Sequence, residues 1–264
     1  MTYMGSKRKY CKDIVPIIQK YIEDNNITIF IDIFCGGANL ADKIQCDLVI
    51  ANDLSPTLIA LHQVAQLDFS AIPTDGSREY WDAAYAEYKK IKAAMDKGET
   101  YIPEMPFYEI GAIEWYASFA SGGFPRGYAK NAQGRNYYQE GWRNHKAQSE
   151  NPLYQKINFI CGDYKDVLPK LQKLDLSHAL IYCDSPYKGT KPYAINPKFN
   201  HEEYYNWLRE TSKVVPIFIS EQEMPEDFPI LWEKEAKRTA GKDNNFKACE
   251  KLYFIDNREE TKDE

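Results

Sequence analysis

Three short apolar runs, each ending in a polar or glycine-rich turn, constrain the fold of this chain most. Residues 27–34 read Ile-Thr-Ile-Phe-Ile-Asp-Ile-Phe and lead directly into Cys-Gly-Gly. Residues 47–51 lead into an Asn-Asp pair, and residues 179–183 lead into Asp184. Apolar runs of this kind, without polar alternation, are typical of strands that are buried on both faces of a parallel sheet. The chain therefore predicts an α/β fold whose strand ends carry the polar chemistry.

The turn after the first run suits a nucleoside cofactor. Gly36 and Gly37 allow a ligand to approach the backbone closely, and the helix start that follows offers unpaired N–H groups. Asp53 ends the second run roughly 20 residues after the turn, where an acid accepts hydrogen bonds from ribose hydroxyls. A glycine pair after a strand is also typical of an ordinary turn, and dehydrogenases use the same pattern. The missing third glycine argues against a dehydrogenase.

The third run ends in Asp-Ser-Pro-Tyr at residues 184–187. This tetrapeptide offers a carboxylate at Asp184, a turned backbone carbonyl at Ser185 and a flat ring at Tyr187. Two acceptors that take the two N–H groups of a planar amine would aim the nitrogen lone pair at an electrophile. The alternative is an ordinary turn, which is common where a strand ends in Asp and Pro.

Four blocks in a fixed order make the chain resemble the Dam-like DNA adenine-N6 methyltransferases, from residue 3 to about residue 220. The blocks are Tyr-Met-Gly-Ser-Lys at 3–7, Asp-Ile-Phe-Cys-Gly-Gly at 32–37, Asn-Asp at 52–53 and Asp-Ser-Pro-Tyr at 184–187. Two positions depart from the family pattern: Ala38 follows where a second glycine is usual, and Ser185 replaces the first of two prolines. A small residue still fits the turn, and Ser185 retains the main-chain carbonyl that the family uses.

The resemblance implies an α/β, Rossmann-like methyltransferase fold with a mixed sheet, helices on both faces and a mainly helical target-recognition insert. Residues 1–55 and 151–264 are expected to form the catalytic, S-adenosylmethionine-binding domain, and residues 56–150 the insert. Apolar alternation in residues 230–232 and 251–256 predicts the closing antiparallel pair of the sheet. Near the start, Ser6 is predicted to cap the first helix.

The resemblance also implies S-adenosylmethionine as methyl donor, without a metal. Asp53 is expected to hold its ribose, Asp32 and residues 34–37 its methionine end, and Asp163 or Tyr164 its adenine. The expected cofactor-binding residues are Tyr3, Lys7, Asp32, Phe34, Gly36, Gly37, Asp53, Asp163, Tyr164 and Asp184. The expected catalytic residues are Asp184, Ser185, Pro186 and Tyr187, with the Tyr187 ring stacked on the target base.

The net charge is −6, yet positive side chains are concentrated in residues 122–148, which hold a single acid. The expected nucleic-acid-binding residues are Arg126, Lys130, Arg135, Arg143 and Lys146. The aromatic residues interleaved with them are Phe124, Tyr128, Tyr137, Tyr138 and Trp142. We interpret the segment as a basic loop that contacts phosphates and stacks on or wedges into duplex DNA, with His145 as a further candidate for phosphate contact. On composition alone, a solvated surface is the alternative.

The predicted function is site-specific transfer of a methyl group from S-adenosylmethionine to the N6 amine of an adenine flipped out of duplex DNA. Flipping is required because the amine lies at the Watson–Crick edge, where neighbouring base pairs block approach. Two alternatives stay open: the same chemistry on cytosine N4 or RNA adenine, and a catalytically silent DNA-binding relative. A Ser-His-acid hydrolase is rejected because no such setting is present. The expected type is a methyltransferase of a restriction-modification system or of a phage.

The bulk properties agree with an enzyme of this kind. With 264 residues, 44% of them hydrophobic, the chain can bury the core of one large domain or of a domain with an insert. No apolar stretch approaches the roughly 20 residues of a membrane span, and the start lacks a signal-peptide core, so we expect a cytoplasmic monomer or weak dimer without membrane contact. The six cysteines form no C-x-x-C pair and are expected to be reduced, buried thiols, and the four histidines lack metal-ligand spacing.

Overall fold

The fold is built on one seven-stranded sheet, seen in a computed structural model that describes residues 1–2, 5–129, 135–188, 199–236 and 248–258. The strand order is β3-β2-β1-β4-β5-β7-β6. The strands are β1 (Ile29–Asp32), β2 (Leu48–Asp53), β3 (Ile157–Cys161), β4 (Ala179–Cys183), β5 (Ile217–Glu221), β6 (Ile230–Ala236) and β7 (Ala248–Ile255). The first five are parallel, and β7 runs antiparallel to both β5 and β6. The predicted mixed sheet and its closing antiparallel pair are confirmed.

The register of the central strands brings their polar ends to one edge. Asp32, the last residue of β1, pairs with Ala51 on one side and Tyr182 on the other. Parallel strands share a carboxyl-terminal edge, so Asp53 at the end of β2 and Asp184 just after β4 lie along the same rim as Asp32. All five residues of β4 are buried, as expected for a central strand covered on both faces.

Helices cover both faces of the sheet. They are α1 (Cys11–Asp24), α2 (Pro56–Leu67), α3 (Arg78–Met95), α4 (Phe107–Tyr116), α5 (Tyr137–Ser149), α6 (Tyr164–Lys170) and α7 (His201–Thr211). Alternate residues of β1 enter different cores: Phe30 joins the cluster beneath α1 to α5, whereas Ile29 and Ile31 join the cluster beneath α6 and α7. Successive side chains of a strand point to opposite faces of the sheet, which explains this alternation. The fold therefore has three layers, with the sheet between two layers of helices.

Local capping signals place several helix starts. The Ser55 hydroxyl accepts a hydrogen bond from the Leu58 amide at the start of α2, and the Asn200 side chain accepts one from the Glu203 amide at the start of α7. The prediction for Ser6 was wrong in extent: Ser6 caps a single 3-10 turn, Lys7–Lys9, and α1 begins only at Cys11. This turn directs the Lys7 side chain into the protein, where only 6% of it is exposed.

The predicted basic loop of residues 122–148 was wrong in its second half, which is the helix α5. The Asn136 side chain caps this helix by accepting a hydrogen bond from the Gln139 amide (3.0 Å). Its buried residues recur at helical spacing and anchor it against the core: Tyr138, Gly141, His145, Gln148 and Ser149. Because Phe124 and Tyr138 are also buried, neither ring is available to stack on DNA.

The predicted division into a catalytic domain and an insert at residues 56–150 stays a prediction. Within the proposed insert, α4 packs against α2, α3 and α5, and α2 packs in turn on β2 and β3. One hydrophobic cluster includes residues from these helices together with Phe30 of the sheet. The helices of the proposed insert therefore share their core with the proposed catalytic domain.

Two further expectations concern the cysteines and the membrane. All six cysteines are free, but Cys46 and Cys249 are half-buried and Cys161 is exposed, which corrects the expectation of buried thiols. Cys161 ends β3, a strand at one edge of the sheet that pairs with β2 on one side. Among the helices in the described part of the chain, none combines the length and the apolar character needed to cross a bilayer.

Candidate active site

A pocket of about 300 Å³ opens at the carboxyl-terminal edge of the sheet. The predicted site residues that line it are Lys7, Asp32, Phe34, Gly36, Gly37, Asp53, Arg126, Asp163, Tyr164, Asp184, Ser185, Pro186 and Tyr187. Its opposite wall comes from α3, α4 and the loop after α4, through Tyr88, Glu114, Trp115 and Gly123. The pocket thus brings together residues that lie about 180 positions apart in the sequence.

The glycine turn after β1 forms one wall and is held by backbone and side-chain hydrogen bonds. The Cys35 amide donates to the Asn52 carbonyl (2.8 Å), and the Asn52 side chain donates to the carbonyls of Ile33 and Gly162 (both 3.0 Å). Gly36 has φ 47° and Ala38 has φ 53°, so both occupy the left-handed region. Ala38, the departure from the family pattern, adopts a conformation that is easier for glycine.

Asp53 joins the glycine turn to the start of α2. Its Oδ2 accepts a hydrogen bond from the Gly36 amide (3.1 Å), and its Oδ1 accepts one from the Ser55 amide (2.9 Å). Burial raises the pKa of Asp53, and the amide hydrogen bonds oppose this effect. Each carboxylate oxygen has further lone pairs for a hydroxyl group in the pocket.

Asp32 is a buried carboxyl group at the floor of the pocket. Only 2% of the residue is exposed, and its Oδ1 has no hydrogen-bond partner among the described residues. Burial, and then the negative charge of Asp184, raise the pKa of Asp32 well above its ordinary value. A buried carboxyl with an unpaired oxygen is poorly stabilised by the protein alone, so it favours a cationic or hydrogen-bonding ligand in the pocket.

Asp184 is held by the lysine of the first sequence block. The Lys7 Nζ lies 2.6 Å from Asp184 Oδ1 and 4.4 Å from the centroid of the Tyr187 ring. Burial raises the pKa of Asp184 to about 6, although the positive charge of Lys7 opposes the shift. Asp184 is therefore a carboxylate at neutral pH, placed next to a cation and an aromatic ring.

Glu250 is a member of this cluster that sequence reasoning missed. It lies on β7 with 6% of the residue exposed, 3.4 Å from Lys7 Nζ, and its Oε1 accepts a hydrogen bond from the Tyr187 hydroxyl (2.5 Å). The sequence did hold an indication of this position, because the alternation of side chains along a strand puts Glu250 on the same side as the apolar Leu252. An acid at an inward position of a strand requires a partner.

The residues predicted to meet the cofactor's adenine, Asp163 and Tyr164, line the same pocket. Asp163 caps α6 by accepting a hydrogen bond from the Lys165 amide (3.0 Å). The Tyr164 ring packs against Phe34, with 5.6 Å between the ring centroids. Both residues line the pocket, and their contacts with the cofactor stay a prediction.

Comparison with known proteins identifies the family. A family model described as D12 class N6 adenine-specific DNA methyltransferase matches residues 3–213. The chain belongs to this family. Two solved structures of the rRNA methyltransferase aviRa from Streptomyces viridochromogenes, at 2.4 Å and 1.5 Å, are similar to this methyltransferase at 11% sequence identity, with TM-scores of 0.44 and 0.42. Each comparison covers 96% of this chain and 86% of the other. The search of curated proteins found no match.

The described basic residues of the methyltransferase lie in different settings. Arg126 is exposed and lines the pocket, whereas Arg143 and Lys146 are exposed on α5, outside it. Arg135 is bound by Glu140, with 2.6 Å between Nη2 and Oε2. The predicted residues Tyr3 and Lys130 lie outside the described part of the chain.

A further buried acid of the methyltransferase, Glu114, lies on α4 and lines the pocket. Glu114 Oε2 accepts a hydrogen bond from the Thr57 hydroxyl (2.8 Å), which in turn lies 3.0 Å from the Ser55 hydroxyl. Burial raises the pKa of Glu114 to about 8, with the nearby charge of Asp53 adding to the shift. Glu114 is therefore largely protonated at neutral pH. No sequence motif marks it as a site residue.

A chain of buried hydrogen bonds links α4 and α5 of the methyltransferase to the glycine turn. Tyr116 bonds His145 (2.5 Å), His145 bonds Tyr154 (2.9 Å), Tyr154 bonds His62 (2.8 Å), and His62 Nε2 bonds the Gly36 carbonyl (2.8 Å). The carbonyl can only accept, so every donor in the chain points toward the turn. Burial lowers the pKa of His62 to about 3 and that of His145 well below its ordinary value, so both rings are neutral.

This chain corrects the suggested role of His145. A fully buried ring whose two nitrogens bond Tyr116 and Tyr154 cannot contact phosphate. The same helix reaches the turn a second time, because the Gln148 side chain donates a hydrogen bond to the Gly37 carbonyl (3.0 Å). The inner face of α5 is therefore bound to the turn that the sequence predicts to hold the cofactor.

Proposed function

We propose that this DNA adenine-N6 methyltransferase transfers a methyl group from S-adenosylmethionine to an adenine flipped out of duplex DNA, with Asp184 as the residue that orients the amine. The observation that carries the proposal is the single pocket shared by the glycine turn after β1 and the carboxylate after β4. A donor held at one end and an amine held at the other would then face each other within one site.

The chemistry of the pocket fits this donor. S-adenosylmethionine supplies, when bound, a methyl group made electrophilic by a sulfonium sulfur. The unpaired Oδ1 of Asp32 is suited to the ammonium group of the methionine end, and Asp53 to the ribose hydroxyls. Phe34, Gly36 and Gly37 would line the methionine end, and Asp163 and Tyr164 the adenine. Tyr3 is proposed as a further cofactor contact from the family pattern alone.

Residues 184–187 would orient the target amine. Asp184 accepts one N–H and the Ser185 carbonyl the other, which turns the nitrogen lone pair toward the methyl group. Transfer would form a bond between this nitrogen and the methyl carbon as the methyl–sulfur bond breaks, with its electrons left on sulfur. The methylated nitrogen then releases one proton to Asp184 or to water. Pro186 fixes the turn, and Tyr187 supplies the ring on which the base stacks.

Phosphate contacts would offset part of the few kcal/mol that flipping costs. Arg143 and Lys146 are exposed on α5, Arg126 is exposed at the pocket mouth, and the charge of Arg135 is shared with Glu140. Lys130 is proposed as a further contact from its position in the basic segment.

The test is transfer of labelled methyl from S-adenosylmethionine to defined duplex DNA, single-stranded DNA and RNA, followed by nucleoside analysis. We expect N6-methyladenine in duplex DNA and no transfer by Asp184→Ala, which should still bind the donor in calorimetry. Methyl on cytosine N4 or RNA adenine would instead support the open alternatives. Full activity of Asp184→Ala would contradict the proposed orientation of the amine.

A further inference from the structure

Glu250 contacts the catalytic cluster from outside the segment that defines the family. The family match ends at residue 213. Glu250 lies after that segment in the sequence, on strand β7. Its carboxylate nevertheless accepts a hydrogen bond from the Tyr187 hydroxyl and lies 3.4 Å from Lys7 Nζ. A carboxylate with only 6% exposure and two such partners is built into the site rather than placed at its border.

Lys7 is shared unequally between two carboxylates. Its ammonium nitrogen lies 2.6 Å from Asp184 and 3.4 Å from Glu250, so Asp184 holds it more tightly in the free enzyme. One ammonium and two carboxylates leave the cluster with one excess negative charge. A substrate amine that donates to Asp184 competes with Lys7 for the same oxygens, and Glu250 is the second carboxylate within reach of the ammonium.

We propose that Glu250 is a positioning residue for methyl transfer, which holds Tyr187 in place and accepts the Lys7 ammonium when the target amine occupies Asp184. This inference rests on the proposed function, because it assumes that Asp184 receives the amine. Glu250 touches neither reactant in this account and does not line the pocket. Its effect reaches the substrate through Lys7 and Tyr187.

The same geometry gives Glu250 an electrostatic effect on Asp184. The charged or titratable groups around Asp184 are Lys7 from the first turn, Cys11 from α1, Asp32 from β1, Tyr182 and Cys183 from β4, Tyr187, Glu221 from β5 and Glu250 from β7. The negative charge of Glu250 raises the pKa of Asp184, and Lys7 lowers it. Removing the Glu250 charge should therefore lower the pKa of Asp184 while leaving Lys7 as its principal partner.

The experiment uses Glu250→Gln in the full chain, with methyl transfer to duplex DNA measured from pH 4.5 to 9. Glutamine keeps the side-chain shape and an acceptor for Tyr187 but removes the charge. We expect kcat to fall about 10- to 100-fold, the acid limb of the rate profile to move to lower pH, and the Kd for S-adenosylmethionine to change less than about twofold. Glu233→Gln, at an exposed position of β6, is the matched control and should change none of these.

A double-mutant cycle with Lys7→Met separates a positioning role from a structural one. If Glu250 acts through Lys7, Glu250→Gln should cost much less activity in the Lys7→Met background than in the wild type. Fully additive losses, or a wild-type kcat with an unmoved acid limb in Glu250→Gln, would overturn the inference. If Glu250→Gln does not fold, Glu250→Asp replaces it. The retained charge should keep the acid limb at the same pH, and the shorter side chain should lower kcat. A wild-type kcat in Glu250→Asp would overturn the inference.

Wild type and Asp184→Ala are assayed in parallel, so that two failures can be told apart. No transfer by the wild type, or full transfer by Asp184→Ala, would contradict the proposed function itself. Normal transfer by the wild type, none by Asp184→Ala and an unaffected Glu250→Gln would contradict only the role of Glu250.

Discussion

At the scale of single residues, Asp184 combines two properties that usually exclude each other. It is a half-buried carboxyl, with 20% of its side chain exposed; burial raises its pKa, and the ammonium of Lys7 opposes that shift and keeps the group ionised near neutral pH. An acceptor of this kind is charged and partly shielded from water. Such shielding strengthens its interaction with an incoming N–H group.

The pKa of Asp184 sets the expected pH dependence of the enzyme. The carboxylate form accepts the amine, so kcat/KM should fall as the pH drops through about 6, the raised pKa of this group in the free enzyme. The measurement is kcat/KM for duplex DNA across pH, with Asp184→Asn as a variant that should be nearly inactive at every pH. An acid limb near pH 4, the range of an ordinary aspartate, would show that another group controls the rate.

Asp53 should be needed for cofactor binding rather than for chemistry. Asp53→Ala removes the proposed acceptor for the ribose and also the acceptor that holds the Gly36 amide. We expect the Kd for S-adenosylmethionine to rise about 10- to 100-fold, from the loss of hydrogen bonds to a charged acceptor. Calorimetry on the variant measures this, and Asp47→Ala, an exposed acid just before β2, is the control. An unchanged Kd in Asp53→Ala would remove the ribose assignment.

At the scale of secondary-structure elements, α5 connects two parts of the enzyme. Its exposed face carries Arg143 and Lys146, and its buried face carries His145 and Gln148. Gln148 bonds the Gly37 carbonyl directly, while His145 reaches the Gly36 carbonyl through Tyr154 and His62. The position of the glycine turn therefore depends on a helix that belongs to the proposed target-recognition insert.

Breaking the buried chain at His62 should weaken both the fold and the cofactor site. His62→Phe keeps a flat ring stacked on Phe159 but removes the ring nitrogen that accepts from the Tyr154 hydroxyl and the ring N–H that donates to the Gly36 carbonyl. We expect a loss of about 1–3 kcal/mol in the free energy of unfolding, together with a higher Kd for S-adenosylmethionine. Urea denaturation and calorimetry provide the two readouts.

Tyr116→Phe is the comparison for this prediction. It removes the outermost hydroxyl of the same chain, far from the turn, and should leave the Kd close to that of the wild type. Equal effects of the two substitutions on cofactor binding would mean that the chain stabilises the fold generally and does not position the turn.

The sequence predicts those parts of the site that depend on local patterns. Asp32, Asp53 and Asp184 follow apolar runs, and parallel pairing brings the ends of such runs to one edge. The inward direction of Lys7 and the contact with Glu250 could not be predicted, because they depend on pairing between the first turn and a strand more than 240 residues away.

The basic segment shows a different limit of sequence reasoning. Glycine, asparagine and charged residues in residues 122–148 are typical of a loop. In the structure, Asn136 caps α5 and the buried stripe of Tyr138, His145 and Gln148 stabilises it. Tertiary packing therefore stabilises a helix in a segment whose composition is typical of a loop.

At the scale of the whole molecule, the net charge of −6 has to be reconciled with a polyanionic substrate. The exposed cations Arg143 and Lys146 on α5 and Arg126 at the pocket are the proposed phosphate contacts. Binding to DNA should then depend steeply on salt, because each cation that contacts a phosphate releases counterions.

Removing two of these cations should reduce the salt dependence of DNA binding. For Arg143→Gln combined with Lys146→Gln, we expect the slope of log K against log salt to become shallower by roughly 2, since each phosphate contact contributes about 0.9. Fluorescence anisotropy at several salt concentrations measures the slope. Lys20→Gln, an exposed residue of α1 bound to Asp24, is the control and should leave the slope unchanged. An unaltered slope in the double variant would place the phosphate contacts elsewhere.

The two faces of α5 limit how this enzyme could be re-engineered to read another DNA sequence. A recognition segment transplanted from a relative would bring its own outward side chains, but also its own inward ones. A chimera lacking the inward histidine and glutamine at positions 145 and 148 would engage its new target while holding the methyl donor poorly. Retargeting is therefore best confined to solvent-facing positions such as 143, 146 and 147, with the inner face kept intact.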